Sequence, residues 1–433
     1  MTPATVLAHG LGGSTDLPIP YTYALIGAAW ALTLTFAVVA LAWRRPRFDP
    51  DKPGRPLPAG VTTFIDARAT RWVVALLALA FTIWVLVVAG TSTQSGQNPL
   101  PGVFYVLLWV GVPVISMLCG PIWRAISPVR TWWRALPARL ASGILTYPDS
   151  WGYRPAAAGL FAFVWLELAG PDPGSLPAIT TWLLGYAVVM AAGAATFGPR
   201  WFARADPFEV YSVVASRLAP VRRRDDGRII VGNPFDHLPT MPVRPGTVTV
   251  LAVLLGSTAF DSFSAMPSWR GFVDAHSGGQ AGATVLRTVG LLVFIAVVAT
   301  TFCIAARATG GVDAGQRRLL PGRLAHSLIP IVIGYVLAHY LSYLVERGQQ
   351  TLLLLGAPLG WDWDINYLLS QHPSVLASIK VGCVVLGHMA GVLAAHDAAL
   401  RLLPKGHQLT GQLAMMLVMV GYTFTGLYLL FGG

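Results

Sequence analysis

The chain has 433 residues, of which 55% are hydrophobic and only 11% charged. A soluble domain carries about a quarter charged residues, so a water-exposed surface of ordinary extent is excluded, and a lipid bilayer is the expected surrounding. The net charge of +11 does not point to nucleic acid, because the basic residues are mostly arginine and gather in loops between apolar stretches.

In chain order, residues 1–21 read as an outer N-terminal segment, with neither a basic n-region nor an apolar run of signal-peptide length. Residues 22–433 read as a single all-α integral membrane domain, a polytopic bundle of about ten transmembrane helices. The apolar segments run 23–43, 72–90, 102–119, 155–170, 176–197, 246–260, 284–306, 324–344, 375–399 and 411–431. A crossing needs about 20 helical residues, and about 17 at the least, so the fourth and sixth are short. Basic loops fall at 44–71, 120–154, 198–245, 307–323 and 400–410, every second connection. The positive-inside rule then places both termini outside, and the expected location is the bacterial cytoplasmic membrane. Cys119, Cys303 and Cys383 form no CxxC pair and read as small packing residues.

Two basic loops share a local theme. GPIWRAISPVRTWWRAL starts at Gly120 and GPRWFARADPFEVYSVV at Gly198, each placing Gly-Pro-x-Trp at a span end, then Arg and Pro, then an amphipathic stretch. Trp and Arg anchoring at headgroup level is favoured over a duplicated functional half.

Ionisable residues inside spans are costly and mark sites. Tyr335, His339, Ser342 and Glu346 follow a 4, 3, 4 spacing, which puts them on one helical stripe. His388 lies near the middle of the ninth segment and His396 at its inner end, beside small residues such as Gly387 and Gly391 that allow close helix approach. His339 and His388 are expected to face each other. Three readings stand for them: divalent metal ligands, axial haem ligands, or hydrogen-bonded core histidines or proton carriers without a cofactor. His396, Asp397 and Arg401 read as an inner-end cap, and Met415, Met416 and Met419 as core packing in preference to copper ligands. Glu167, Asp261, Arg287, His9, Asp16 and His372 add polar groups at the outer side.

The combination of AHGLGGSTDLPIP from Ala8, GPIWRAISP, STAFDSF around Asp261, LAHYLSYL around His339 and GHMAGVLAAHDAA around His388 resembles a bacterial polytopic membrane family. Some of its members are labelled fenitrothion hydrolase. That resemblance implies an outer-facing site at Asp261, His339 and His388 and a metal-dependent hydrolase of phosphotriesters. In that reading His339 and His388 are metal ligands, and Asp261 or Glu346 is a ligand or catalytic base. The alternatives are a proton- or metal-coupled transporter and a haem- or metal-bearing subunit of a membrane complex. Each reading expects a small-molecule or ion ligand.

Overall fold

The computed structural model describes residues 16–52, 54–91, 95–137 and 141–431. The helices are α1 (Tyr21–Ala42), α2 (Ala59–Asp66), α3 (Arg68–Ala89), α4 (Leu100–Cys119), α5 (Trp123–Ile126) and α6 (Pro128–Arg134). They continue with α7 (Arg154–Leu168), α8 (Leu176–Phe197), α9 (Pro199–Ala205), α10 (Pro207–Ser216), α11 (Pro234–His237), α12 (Thr247–Ser264) and α13 (Pro267–His276). The last are α14 (Gln280–Arg307), α15 (Ala314–Leu324), α16 (Ile329–Ser342), α17 (Gly348–Gly356), α18 (Pro373–Leu402) and α19 (Leu413–Phe431). Three short strands, β1 (Arg55–Pro56), β2 (Val221–Arg223) and β3 (Ile229–Val231), form an antiparallel sheet in the order β1-β3-β2. Among the described residues the structure is all-α apart from that sheet.

Among the described residues nine helical stretches are long and apolar enough to cross a membrane, the seventh running unbroken from Ala314 to Leu359 through α15, α16 and α17. Their outward faces are apolar: Trp30, Leu34 and Leu41 on α1, and Leu77, Ile83 and Leu86 on α3, are all exposed. Hydrocarbon, not water, suits such faces.

The fourth expected segment forms α7, whose 15 residues rise about 22 Å, short of a bilayer core of about 30 Å. It still connects the two ends of the bundle. Tyr153 N–H donates to Pro245 O at 2.7 Å beside the start of α12. Past its other end, the Pro171 and Pro173 carbonyls accept from Gln280 at the head of α14 and from Tyr105. The short helix is tolerated because its neighbours, not lipid, cover much of it.

The basic loops form one layer. Arg223 pairs with Asp66, Lys52 with Asp236, Arg124 and Arg130 with Glu209, and Arg204 with Asp149. Asp397 near the end of α18 accepts the Arg47 and Phe48 N–H groups. Loops 44–71, 120–154, 198–245 and the end of α18 therefore meet at a single Arg-rich end.

The paired loops are built alike. Gly120 and Gly198 end α4 and α8 at φ 93° and 65°, a region that favours glycine. Ser127 and Asp206 then cap helices that begin with Pro128 and Pro207. The headgroup-anchor expectation fails here: Trp123 and Trp201 are buried at 7% and 8% exposure, and all ten residues of α10 are buried. The N-cap and proline restart the chain so that α10 turns back into the bundle against α4 and α7. A mostly apolar run of ten residues is short enough to bury as a re-entrant helix.

The helix pair α16 and α18 packs backbone against backbone. A Cβ added at Gly387 would lie 2.7 Å from Pro330 O and 3.2 Å from Gly334 Cα. Gly387→Ala is expected to force the helices apart and destabilise the protein by about 1–3 kcal/mol. Gly382→Ala, with nothing within 4 Å of the new Cβ, is expected to be neutral or stabilising. Thermal unfolding in mild detergent compares the two; equal losses would contradict the assigned contact.

Candidate functional site

α12 carries Ser257, Thr258, Asp261 and Ser262 within an otherwise apolar, almost wholly buried helix. Ser257 and Thr258 return their hydroxyls to Leu254 O, as serine and threonine do in apolar helices. A helix offers a carboxylate no such internal partner, so Asp261 is satisfied from the neighbouring α16. Its Oδ2 accepts the Tyr340 hydroxyl at 2.9 Å and lies 2.8 Å from His339 Nε2. The ring N–H stands off the line to that oxygen, so the contact is close without being a linear hydrogen bond. His339 Nδ1 faces Ser262 Oγ at 3.4 Å. Asp261, Ser262, His339 and Tyr340 are all buried. Glu167 at the end of α7 lies within electrostatic reach of Tyr340 and Tyr343, so two carboxylates flank this cluster.

The arrangement polarises an imidazole. With Nε2 turned to a carboxylate, the ring's other nitrogen is the one presented to a hydroxyl. Asp261 then steadies the imidazolium that forms when Nδ1 takes a proton. The segment around the site is π-helical in two places, Val103–Gly111 of α4 and Tyr343–Arg347 after α16, and these two pack together. Such insertions recur at functional sites.

Of the expected site residues, the fold brings Asp261 and His339 together and gives the others different partners. All four members of the α16 stripe are buried, but Tyr335 donates to Tyr422 O at 3.0 Å and Glu346 accepts Ser370 N–H and Oγ–H at 2.8 and 2.5 Å. Glu346 thus anchors the loop before α18. His388 turns Nδ1 to its own Val384 O at 2.9 Å and packs edge-on against Tyr335, while its Nε2 is buried without a hydrogen-bond partner. His9 lies outside the described residues. Among the described residues no three His, Cys, Asp or Glu side chains converge as a metal would need. His339 and His388 therefore belong to no such group among the described residues.

At the Arg-rich end, His396 bridges Gln412 Oε1 and Trp43 O, both at 2.9 Å, and Asp397 pairs with Arg401 at 3.1 Å. Met415, Met416 and Met419 line a small apolar cavity of about 20 Å³, room for about one water.

Two features escape a reading by loops and spans. Lys380 is 1% exposed within α18, with Asp16 as its neighbouring charge. A lysine inside an apolar run is itself the signal. The second is the carboxylate pair of α10. Glu209 binds Arg124 at 2.9 Å and Arg130 closer still, and Asp206 Oδ2 accepts Trp123 Nε1–H at 2.9 Å. Asp-Pro-x-Glu before an apolar run is a helix-start signature that announces α10. Burial pushes the Asp206 carboxyl up to about 7, with the Glu209 charge adding to it and the Trp123 hydrogen bond opposing.

Comparison of the chain with protein-family models, curated proteins and solved structures finds no match.

The Asp206 shift carries a sign. Its folded value stands above the ordinary carboxylate value, so the unfolded chain loses this proton first as pH rises. From this group stability is highest below about pH 4 and declines up to about pH 7. Asp206→Asn keeps the cap and the Trp123 acceptor but not the proton equilibrium. The wild-type Tm relative to that of Asp206→Asn is expected to fall between pH 4 and 7 in detergent. A difference that stays constant across that range would contradict the assignment.

Proposed function

We propose that this chain is a bacterial cytoplasmic-membrane protein that crosses the bilayer ten times with both termini outside, and that the Asp261–His339 pair is its reactive centre. The ten crossings rest on connectivity. Loops 120–154 and 198–245 share the Arg-rich end, so α7 must carry the chain away from that end for α8 to bring it back. The sidedness rests on the arginines, which favour the cytoplasmic leaflet.

The reaction we assign is base-assisted hydrolysis of an apolar phosphotriester entering from the outer leaflet. The observation that carries it is the buried carboxylate 2.8 Å from an imidazole whose other nitrogen faces a hydroxyl. The substrate class comes from the resemblance of the motifs around Asp261, His339 and His388. A water placed against His339 Nδ1 would pass its proton to the ring as its oxygen attacks phosphorus. The bond from phosphorus to the best leaving oxygen breaks, and that oxygen departs with the electron pair and later takes the proton from His339. Asp261 holds the ring and balances the charge formed in between; poorly aligned contacts of this kind tighten when substrate is bound. No metal step is assigned.

A second reading, proton-coupled transport, is favoured by one observation: the re-entrant helix at the opposite end carries buried carboxylates of its own, Asp206 and Glu209. Half-helices of this kind line transport sites.

Hydrolysis of a fenitrothion-type phosphotriester by purified protein separates the readings. Asp261→Asn and His339→Gln are each expected to lower kcat about a hundredfold or more, with normal expression. His388→Ala and Glu346→Gln are expected to change it far less. Full turnover in both of the first two variants would remove the proposed centre. Absence of wild-type turnover, together with His339-dependent proton uptake into liposomes, would favour transport. Topology has its own test: a cysteine at Gln97 should be labelled from outside intact cells, and one at Asp225 should not. The reverse pattern would sink the orientation.

A further inference from the structure

The Arg-rich end holds a cationic cluster that the proposed reaction does not use. Arg217 closes α10, Arg222 lies in the middle of β2, and His237 ends α11. Arg217 Nη1 donates to Thr240 Oγ1 at 2.6 Å and lies 3.1 Å from His237 Nε2. Arg222 Nη2 donates to Lys52 O at 2.9 Å, and both guanidiniums are within electrostatic reach of the His237 ring. Arg222 and His237 are only 8% and 9% exposed, and Arg217 is partly exposed, which leaves the cluster open on its side.

Among the described residues two N–H donors in this cluster go unused. Arg217 Nε and Arg222 Nη1 are buried and meet no acceptor there, while His237 Nδ1 faces the Ser216 and Ala219 carbonyls without closing a hydrogen bond. Among the described residues neither arginine pairs with a carboxylate. The neighbouring acids are engaged elsewhere: Asp236 takes the Asp49 N–H and Lys52, and Glu209 takes Arg124 and Arg130. Buried guanidinium donors left unmet are costly, and two like charges acting on one imidazole add to that cost. Burial and the two arginine charges hold His237 down to about 3, the same crowding seen from the imidazole.

One ligand chemistry resolves all of this. A phosphate group offers several acceptor oxygens to two guanidinium forks at once and supplies the missing negative charge. We propose that Arg217 and Arg222 form a binding site for a phosphate group at the Arg-rich end of the protein. The group is either the headgroup of an anionic phospholipid of the adjacent leaflet or free phosphate; both present the same oxygens.

The test uses the full-length protein in mild detergent at pH 7.5 and constant ionic strength, with thermal unfolding as the readout. One arm titrates inorganic phosphate against chloride. The other adds phosphatidylglycerol or, for comparison, phosphatidylcholine in mixed micelles. A saturable rise in Tm is expected, with apparent affinity weakened about tenfold or more in Arg217→Gln and Arg222→Gln. Arg224→Gln, at an exposed arginine paired with Asp226, should bind as the wild type does. Arg217 also braces Thr240, so Arg222→Gln decides the matter if Arg217→Gln does not fold. A response to phosphate alone assigns the free ion, and a response to phosphatidylglycerol alone assigns the lipid. A response to both shows that the phosphate group itself is read. No saturable response in either arm, or equal affinity in Arg222→Gln and wild type, overturns the proposal.

Discussion

Where α16 and α18 cross, Gly334 and Gly387 bring two backbones together with no side chain between them. Between apolar helices in an apolar solvent, such contact through small residues is a main source of association, because burying leucine gains little there. The crossing fixes the rotation of α16. With Gly334 held against α18, Tyr335 reaches across to α19, and His339 and Tyr340 turn to Asp261 on α12. The geometry of the candidate centre is thus inherited from a contact that contains no chemistry.

A second constraint shapes the two ends. Polar groups withdrawn from water must find partners inside the protein. At the Arg-rich end the protein meets that demand with ion pairs between loops. Glu209 on a fully buried helix takes two arginines from the other copy of the local repeat. Breaking such a buried group costs more than the pair gains, so these contacts fix which loops meet more than they add stability. At the opposite end backbone and hydroxyl groups serve as partners, as in the hold of Ser370 on Glu346.

These constraints explain what could be read in advance. Long spans are legible because length and apolarity are local properties of the chain. The short α7 is legible as an apolar segment, but only loop charge demands that its 15 residues cross. Helix α10 reads from sequence as an amphipathic stretch after a headgroup anchor, because a short, mostly apolar run after an arginine loop looks alike whether it lies on a bilayer or folds back under it. At the centre, Asp261 and His339 could both be named from the cost of burying them. Their pairing could not, nor could the separate engagement of Glu346 by Ser370 and of His388 by its own helix. Spacing along one helix gives a stripe, but the partner of each residue is set by which neighbour faces it. Lys380, a lone lysine in an apolar run, belongs with the intramembrane groups.

The account stands on Asp261 and His339 acting as one unit, and a double-mutant cycle on unfolding free energy measures that unit without reference to any substrate. Asp261→Ala, His339→Ala and the double variant would be unfolded in mixed micelles at neutral pH. The predicted result is a coupling of about 1 kcal/mol or more, with the double variant less destabilised than the sum of the single losses. Strictly additive losses would contradict the pair and, with it, the reactive centre.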